Sequence, residues 1–270
     1  MKAHRVLVVG VLVIFFCLMT GCKDKESIYK SDDKLGYLAY DEFQDDNNLI
    51  YIEENDGYQP YIVLTNDYDG KTLLLRKYLL DDFIRMNEYY AKYEDCEMDT
   101  YVNNQFYNTL SPEILGKIQD TKIVVTHQAW DGRNDNGIVY SINRKVFLLS
   151  CSELGFTMKY VIQKEGKSLK YFEKDENWVA YLENDNTKSY PWWLRTNYIN
   201  TESCFNFVSG NIDISLVDGK IVEEVKSPII ASTNAFDTNG IRPAFCLASN
   251  LEIEKNEKAI DGQLVYVLKN

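Results

Sequence analysis

Residues 61–75 read YIVLTNDYDGKTLLL, with the apolar runs YIVLT and TLLL on either side of Asn66-Asp67-Tyr68-Asp69-Gly70. Strand, Asp/Gly turn, strand predicts a β-hairpin, because Asp and Gly accept the positive φ of a tight reversal. Working outward, residues 81–86 (DDFIRM) hold an Asp that suits a helix cap, but the Tyr-rich stretch after them has no period and reads as loop. Residues 100–116 place Val102, Phe106 and Leu110 four apart, on one helical face. Ser111-Pro112-Glu113 then supplies a second start, with Ser as N-cap and Pro in the first helical position. Residues 121–126 (TKIVVT) and 146–150 (VFLLS) read as strands, separated by the polar loop 131–137 (DGRNDNG), and 151–156 turn away. From residue 192 onward, β-like pieces at 192–195, 205–208, 212–217, 220–225, 241–248 and 264–268 alternate with Asn/Gly/Asp turns. Helices early and short antiparallel strands late predict an α+β architecture.

The 270 residues are 45% apolar, 13% aromatic and 26% charged, which fits a globular chain and excludes collagen, coiled coil and a multi-span membrane protein. Their formal charge is −12. An acidic surface repels phosphate backbones, so nucleic acid is not an expected partner. Beyond residue 35 there is no repeat, second apolar span or Pro/Gly-rich linker, and residues 36–270 read as one domain.

The N-terminus carries an address. Lys2 and Arg5 precede an uncharged run over residues 6–19, which as a helix spans about 21 Å, too short to cross a bilayer. It reads as the apolar core of a signal peptide covering residues 1–21. The segment Leu18-Met19-Thr20-Gly21-Cys22 resembles the lipobox of bacterial lipoproteins. That resemblance implies cleavage before Cys22, acylation of its thiol, and a membrane partner held through that lipid on the extracytoplasmic face. Residues 22–35, charged and nearly free of apolar side chains, read as a flexible tether. Loss of Lys2 and Arg5 would leave 27 basic against 41 acidic residues.

Four further pieces, in this order, are similar to a family of uncharacterised domains of unknown function, found mainly in Gram-positive gut bacteria. They are TYVNNQFYNTLSPE (100–113), KVFLLSCSELG (145–155), PWWLRT (191–196) and GIRPAFCLAS (240–249). The resemblance implies the C-type-lectin-like fold shared with formylglycine-generating enzymes, its small twisted antiparallel sheet made largely by the C-terminal half.

The residues themselves constrain chemistry. Arg195 and Arg242 stand inside apolar sequence, and a buried guanidinium must stack on a ring or fork onto a carboxylate, so both read as structural arginines. Past the signal peptide His127 is the one histidine, which removes multi-His zinc sites; at a strand end it reads as a structural or surface residue. Residues 131–137 superficially resemble a calcium loop, but Arg133 and Ile142 stand where oxygen ligands are needed. Neither Glu-Pro-Asn nor Gln-Pro-Asp, the lectin calcium tripeptides, occurs, and no metal or cofactor is implied. Formylglycine-generating relatives use two nearby cysteines, whereas Cys204 stands alone ahead of Arg242. Cys96, Cys151, Cys204 and Cys246 remain in the exported part and permit three disulfide connectivities. Cys204 and Cys246 flank the late sheet and form the first candidate pair; four buried free thiols are the alternative.

Residues 196–209 (TNYINTESCFNFVS) and 232–239 (STNAFDTN) interleave aromatic rings with Asn, a composition suited to recognition loops. Candidate ligand-binding residues are Trp193, Asn197, Tyr198, Asn200, Phe205 and Asn206, together with Asn234 and Phe236. Trp192 and Trp193 should alternate faces, one in the core and one free to reach ligand. The expectation is a non-catalytic, lipid-anchored extracytoplasmic module recognising a protein or glycan. A modifying enzyme of the formylglycine-generating kind and a structural envelope lipoprotein are the alternatives.

Overall fold

Three strands near the start of the folded chain, not its C-terminal half, form the middle of the main sheet. The computed structural model describes residues 33–43, 48–55, 57–90, 92–126, 138–156, 164–198, 204–209, 212–217, 220–225, 228–260 and 262–269. Cys22, His127, residues 131–137 and Asn200 lie outside them. A 3-10 turn (Leu35–Leu38) and the one-turn helix α1 (Tyr40–Phe43) precede β1 (Leu49–Glu54), β2 (Gly57–Tyr68), β3 (Lys71–Arg76) and the two-residue β4 (Ile84–Arg85). Helix α2 (Glu97–Tyr101) continues through a π turn (Val102–Phe106) towards α3 (Pro112–Lys117). Then follow β5 (Thr121–Thr126), β6 (Val139–Arg144), β7 (Val146–Phe147), β8 (Trp192–Asn197), β9 (Cys204–Val208), β10 (Ile212–Val217), β11 (Lys220–Val225) and β12 (Ile230–Asn234). The chain closes with β13 (Thr238–Asn239), β14 (Ala244–Leu247), β15 (Ile253–Ile260) and β16 (Gln263–Leu268).

The expected α+β, C-type-lectin-like domain with a small C-terminal sheet is therefore corrected. Strands dominate, and seven of them form one mixed sheet in the order β15-β16-β1-β2-β3-β14-β7, with β1 and β16 parallel. At its centre lies the expected hairpin. Tyr68 pairs with Lys71, and Asp69 and Gly70 between them adopt φ of 51° and 74°, the doubly left-handed turn that matches strand twist. Strand β2 is longer than its apolar run because Gln59 and Pro60 also pair across to β1. Separate from this sheet, β12-β9-β8 make a three-stranded sheet.

The helical region agrees with its spacing, since Val102, Phe106 and Leu110 are all buried. Helix α2 starts earlier than Thr100, capped by Cys96, whose sulfur accepts from the Asp99 amide at 3.3 Å. Pro112 opens α3 as expected, while the Ser111 hydroxyl makes no cap bond.

Both tryptophans of β8 are buried, so neither reaches solvent as alternation required. The strand is covered on both faces. Trp192 donates its indole N–H to the Trp178 carbonyl at 2.9 Å, and Trp193 donates to the Ile84 carbonyl at 2.9 Å. The Cys204–Cys246 pair is likewise not formed. Cys204 lies on β9 and Cys246 on β14, in different sheets, and all four described cysteines are free thiols.

Arg195 sits on β8 with all five donors engaged. Nε donates to the Val124 carbonyl at 3.0 Å, and Nη1 to the Leu148 carbonyl and Glu153 Oε2, both at 2.7 Å. Nη2 donates to Glu153 Oε1 at 2.7 Å and to the Glu165 carbonyl at 3.0 Å. The Arg195 and Glu153 side chains are wholly buried. Glu153 also accepts from Tyr68 Oη at 2.5 Å and the Ser150 amide at 2.9 Å. One guanidinium thus ties β8 to β5, to the segment after β7, and through Glu153 to the central hairpin. Gly166, at φ 112°, is part of the same fit, because a Cβ there would stand 2.9 Å from Glu153 Oε1.

Glu165 packs beside this centre, its Oε1 accepting from both the amide and hydroxyl of Thr126 at 2.6 Å and its Oε2 from Thr196. Burial raises its pKa above the ordinary carboxylate value, despite the opposing pull of Arg195. In the unfolded chain Glu165 ionises near 4.5. As pH rises past that value the unfolded state gains the charge first, so this group's contribution to stability falls as pH climbs to the raised native value. Urea unfolding of Glu165→Gln against the parent from pH 4 to 8 should show the variant gaining relative stability with pH. A constant difference would mean that burial leaves Glu165 unperturbed.

Candidate functional site

The ligand-binding residues expected from sequence divide by burial. Trp193, Asn197, Phe205 and Asn206 are buried and serve packing: Asn206 donates Nδ2 to the Thr196 carbonyl at 3.0 Å, and Trp193 packs edge-on against Phe207. Tyr198 and Asn234 are half-buried, and Phe236 is 55% exposed. Of these candidates, the most exposed is Phe236, on the turn Asn234 to Asp237. The Asp237 carboxylate accepts from the Thr233 hydroxyl and, at 3.1 Å, from the Asn234 amide, while the Asp237 amide donates to the Asn234 carbonyl at 3.0 Å. These bonds rigidify the reversal and leave Phe236 outside.

Against that turn lies the segment after β4. The Ala235 carbonyl accepts from the Met86 amide at 2.8 Å and the Asn87 amide at 3.0 Å. Asn87 Nδ2 in turn holds the Tyr90 carbonyl at 2.8 Å. Tyr89 and Tyr90 follow with 66% and 43% exposure, their ring centroids 6.4 Å apart. Two adjacent turns thus present Tyr89, Tyr90 and Phe236 to solvent.

Next to them is a pocket of about 610 Å³. Phe83, Ile84 and Tyr101 give it an apolar part, and Arg85, Asn87 and Thr238 a polar one. Its walls are fixed from behind. Thr238 pairs with Arg85 and Asn239 with Ile84, while Trp193 holds Ile84 by its carbonyl. The Met98 amide donates to the Met86 carbonyl at 3.1 Å, docking α2 on β4. Arg85 Nε forms an ion pair with Glu97 at 2.7 Å. Tyr101 donates to Asp82 at 3.2 Å, and burial together with that carboxylate pushes its hydroxyl up to about 12. The neutral phenol is therefore kept as a donor across the physiological range. Rigid rings, a paired guanidinium and amide side chains together can stack on flat or C–H-rich surfaces and hydrogen-bond at the rim.

The cysteines have a different character. Burial pushes the thiols of Cys96 and Cys246 up to about 12 and that of Cys151 higher still. At neutral pH these groups stay protonated, and the thiolate that would act as nucleophile or metal ligand is not populated.

A family model, described as Domain of unknown function (DUF6273), matches residues 69–249. The chain belongs to this family. No curated protein and no solved structure matches it. The DUF6273 span contains the Arg195–Glu153 centre and the whole β4–α2 pocket with its aromatic rim, whereas β1, β2, β15 and β16 lie outside it. Among the described residues no helix is long and apolar enough to cross a membrane. Sequence reasoning missed Tyr89, Tyr90, Arg85 and Asn87. The one signal available was two tyrosines in a segment without helical or strand period, where burial has no reason to place them.

Proposed function

We propose that the chain is a lipid-anchored extracytoplasmic binding module, non-catalytic, which recognises a protein or glycan at the β4–α2 pocket and its rim. The observation that carries this reading is the trio Tyr89, Tyr90 and Phe236, exposed on two turns that backbone hydrogen bonds hold together. Exposed rings cost solvation unless a partner covers them, and aromatic residues held rigid lose little entropy on binding. The anchor rests on the lipobox-like sequence ending at Cys22 and the acidic domain that follows. Two acyl chains would hold such a domain firmly, at about 0.8 kcal/mol per buried CH₂.

The test is an array of glycans and bacterial surface proteins probed with the full-length chain in detergent. At least one ligand should bind, and the double variant Phe236→Ala/Tyr89→Ala should weaken it about tenfold or more, as loss of aromatic anchors does. Both positions are exposed, so unchanged unfolding curves would separate lost binding from lost fold. Binding that ignores the double variant, or no binding to any member of the array, would overturn the reading. Metabolic labelling with an alkyne fatty acid should mark the parent and not Cys22→Ala.

A further inference from the structure

A second concavity is lined by residues outside the matched DUF6273 span. Strands β1 and β16 run parallel, and their ladder contains one registered pair, Tyr51 with Val267. On the N-terminal side of that pair in both strands, a groove of about 480 Å³ opens. Tyr37, Tyr51 and Tyr266 supply rings, Asn48 and Gln263 supply amides, and Lys255 from β15 supplies a cation.

Three features separate this groove from a packing defect. The tyrosines are half-buried, so each fixes its ring while leaving part of it open. Asn48 is only 5% exposed; its Nδ2 is spent on the Leu38 carbonyl at 2.5 Å, and its Oδ1 has no hydrogen-bond partner among the described residues. A buried acceptor left unmet is costly, and a hydroxyl donor arriving at the groove wall would satisfy it. Lys255 is the one charged residue of the lining among the described residues, and it is a cation in a chain of net charge −12. Its Nζ stands over the Tyr266 ring at 5.2 Å, and no carboxylate pairs with it among the described residues.

Tyrosine faces match the C–H faces of pyranose rings, amides match hydroxyls, and an ammonium held over a ring, with no carboxylate partner among the described residues, matches a carboxylate. We infer that the groove between β1 and β16 binds a carboxylated saccharide, of the uronic-acid class, with Lys255 on the carboxylate and Tyr51 and Tyr266 on the sugar faces. A neutral sugar would leave Lys255 without a task, and a basic peptide would meet its charge with repulsion. The inference rests on the binding-module reading for the presence of an extracellular ligand, but on different residues from that reading.

The probes are polygalacturonate and its fully methyl-esterified form, titrated calorimetrically against the full-length chain in detergent. The acid form should bind, the ester about tenfold more weakly, and added salt should narrow that gap, since the difference is one exposed charge contact. Lys255→Gln should lose the preference for the acid while retaining weak binding to both forms. Tyr266→Ala should lose both, whereas Phe236→Ala/Tyr89→Ala should lose neither. Lys255 is exposed, so its variant is expected to fold and keeps the proposal testable even where Tyr266→Ala does not. Equal binding of acid and ester, or no binding of either, would overturn the inference. Loss of polygalacturonate binding in Phe236→Ala/Tyr89→Ala but not in Lys255→Gln would overturn it too, while leaving the β4–α2 reading standing.

Discussion

Replacing Glu153 by alanine should cost the fold about 3–5 kcal/mol, the range for breaking a buried ion pair from one side. The reason is what the substitution leaves behind. Arg195 would keep its three carbonyl acceptors but hold a full charge with no carboxylate fork. The Ser150 amide and the Tyr68 hydroxyl would lose their acceptor as well. Glu153→Gln keeps the shape but turns one oxygen into a donor facing other donors, so it should lie between parent and alanine. Arg195→Met should be as damaging as Glu153→Ala, because Glu153 and Glu165 would then share the interior with no cation. Urea unfolding gives the values, provided the slope with denaturant is unchanged. The double variant Arg195→Met/Glu153→Leu should cost clearly less than the two single losses together, as partners in one network are not additive. A loss below about 1 kcal/mol for Glu153→Ala would place the pair among solvated ones and remove the centre that joins β8 to the hairpin.

How much of this was legible in the sequence follows from where each signal resides. The β2–β3 hairpin, β5, β8, β9, β10, β11 and β16 were readable, because apolar runs between Asp, Asn and Gly turns are a local feature. Arg195 and Arg242 were recognisable as buried charges for the same reason, since their neighbours in sequence are apolar. Strand β15, IEKNEKAI, was not readable: it is an edge strand whose polar side chains carry no apolar run, and only its pairing with β16 makes it a strand. Strand β1, LIYIEE, lies between acidic stretches and escaped for a related reason. Those omissions displaced the sheet towards the C-terminus and gave the wrong architecture. The site failed differently. Aromatic and Asn-rich composition marks both recognition loops and doubly covered strands, and nothing local says that β8 is covered on both faces. Only the Phe236 turn lay where composition pointed.

The second large loss should come from Trp192→Ala, and its size depends on Arg242. Removing a buried indole costs about 3–5 kcal/mol through lost transfer energy and the cavity left behind. Here the ring also carries a cation, since the Arg242 guanidinium lies 4.9 Å from its centroid. Unlike Arg195, Arg242 has no carboxylate fork among the described residues. Nε donates to the Arg76 carbonyl at 3.2 Å, and Nη1 has no hydrogen-bond partner among the described residues. Burial pushes its pKa down to about 10, with the Tyr171 hydroxyl pulling the other way. The ring face thus shares the stabilising of a desolvated charge with the Arg76 carbonyl and the Tyr171 hydroxyl, a contact worth about 2 kcal/mol in such surroundings. Arg242→Met should therefore leave stability within about 1 kcal/mol of the parent, because the removed charge was poorly compensated and no carboxylate is orphaned. In that background Trp192→Ala should cost about 1–2 kcal/mol less than in the parent, the difference being the coupling between ring and cation. Equal losses in the two backgrounds would mean that Trp192 only fills space, and that something other than the indole holds the Arg242 charge.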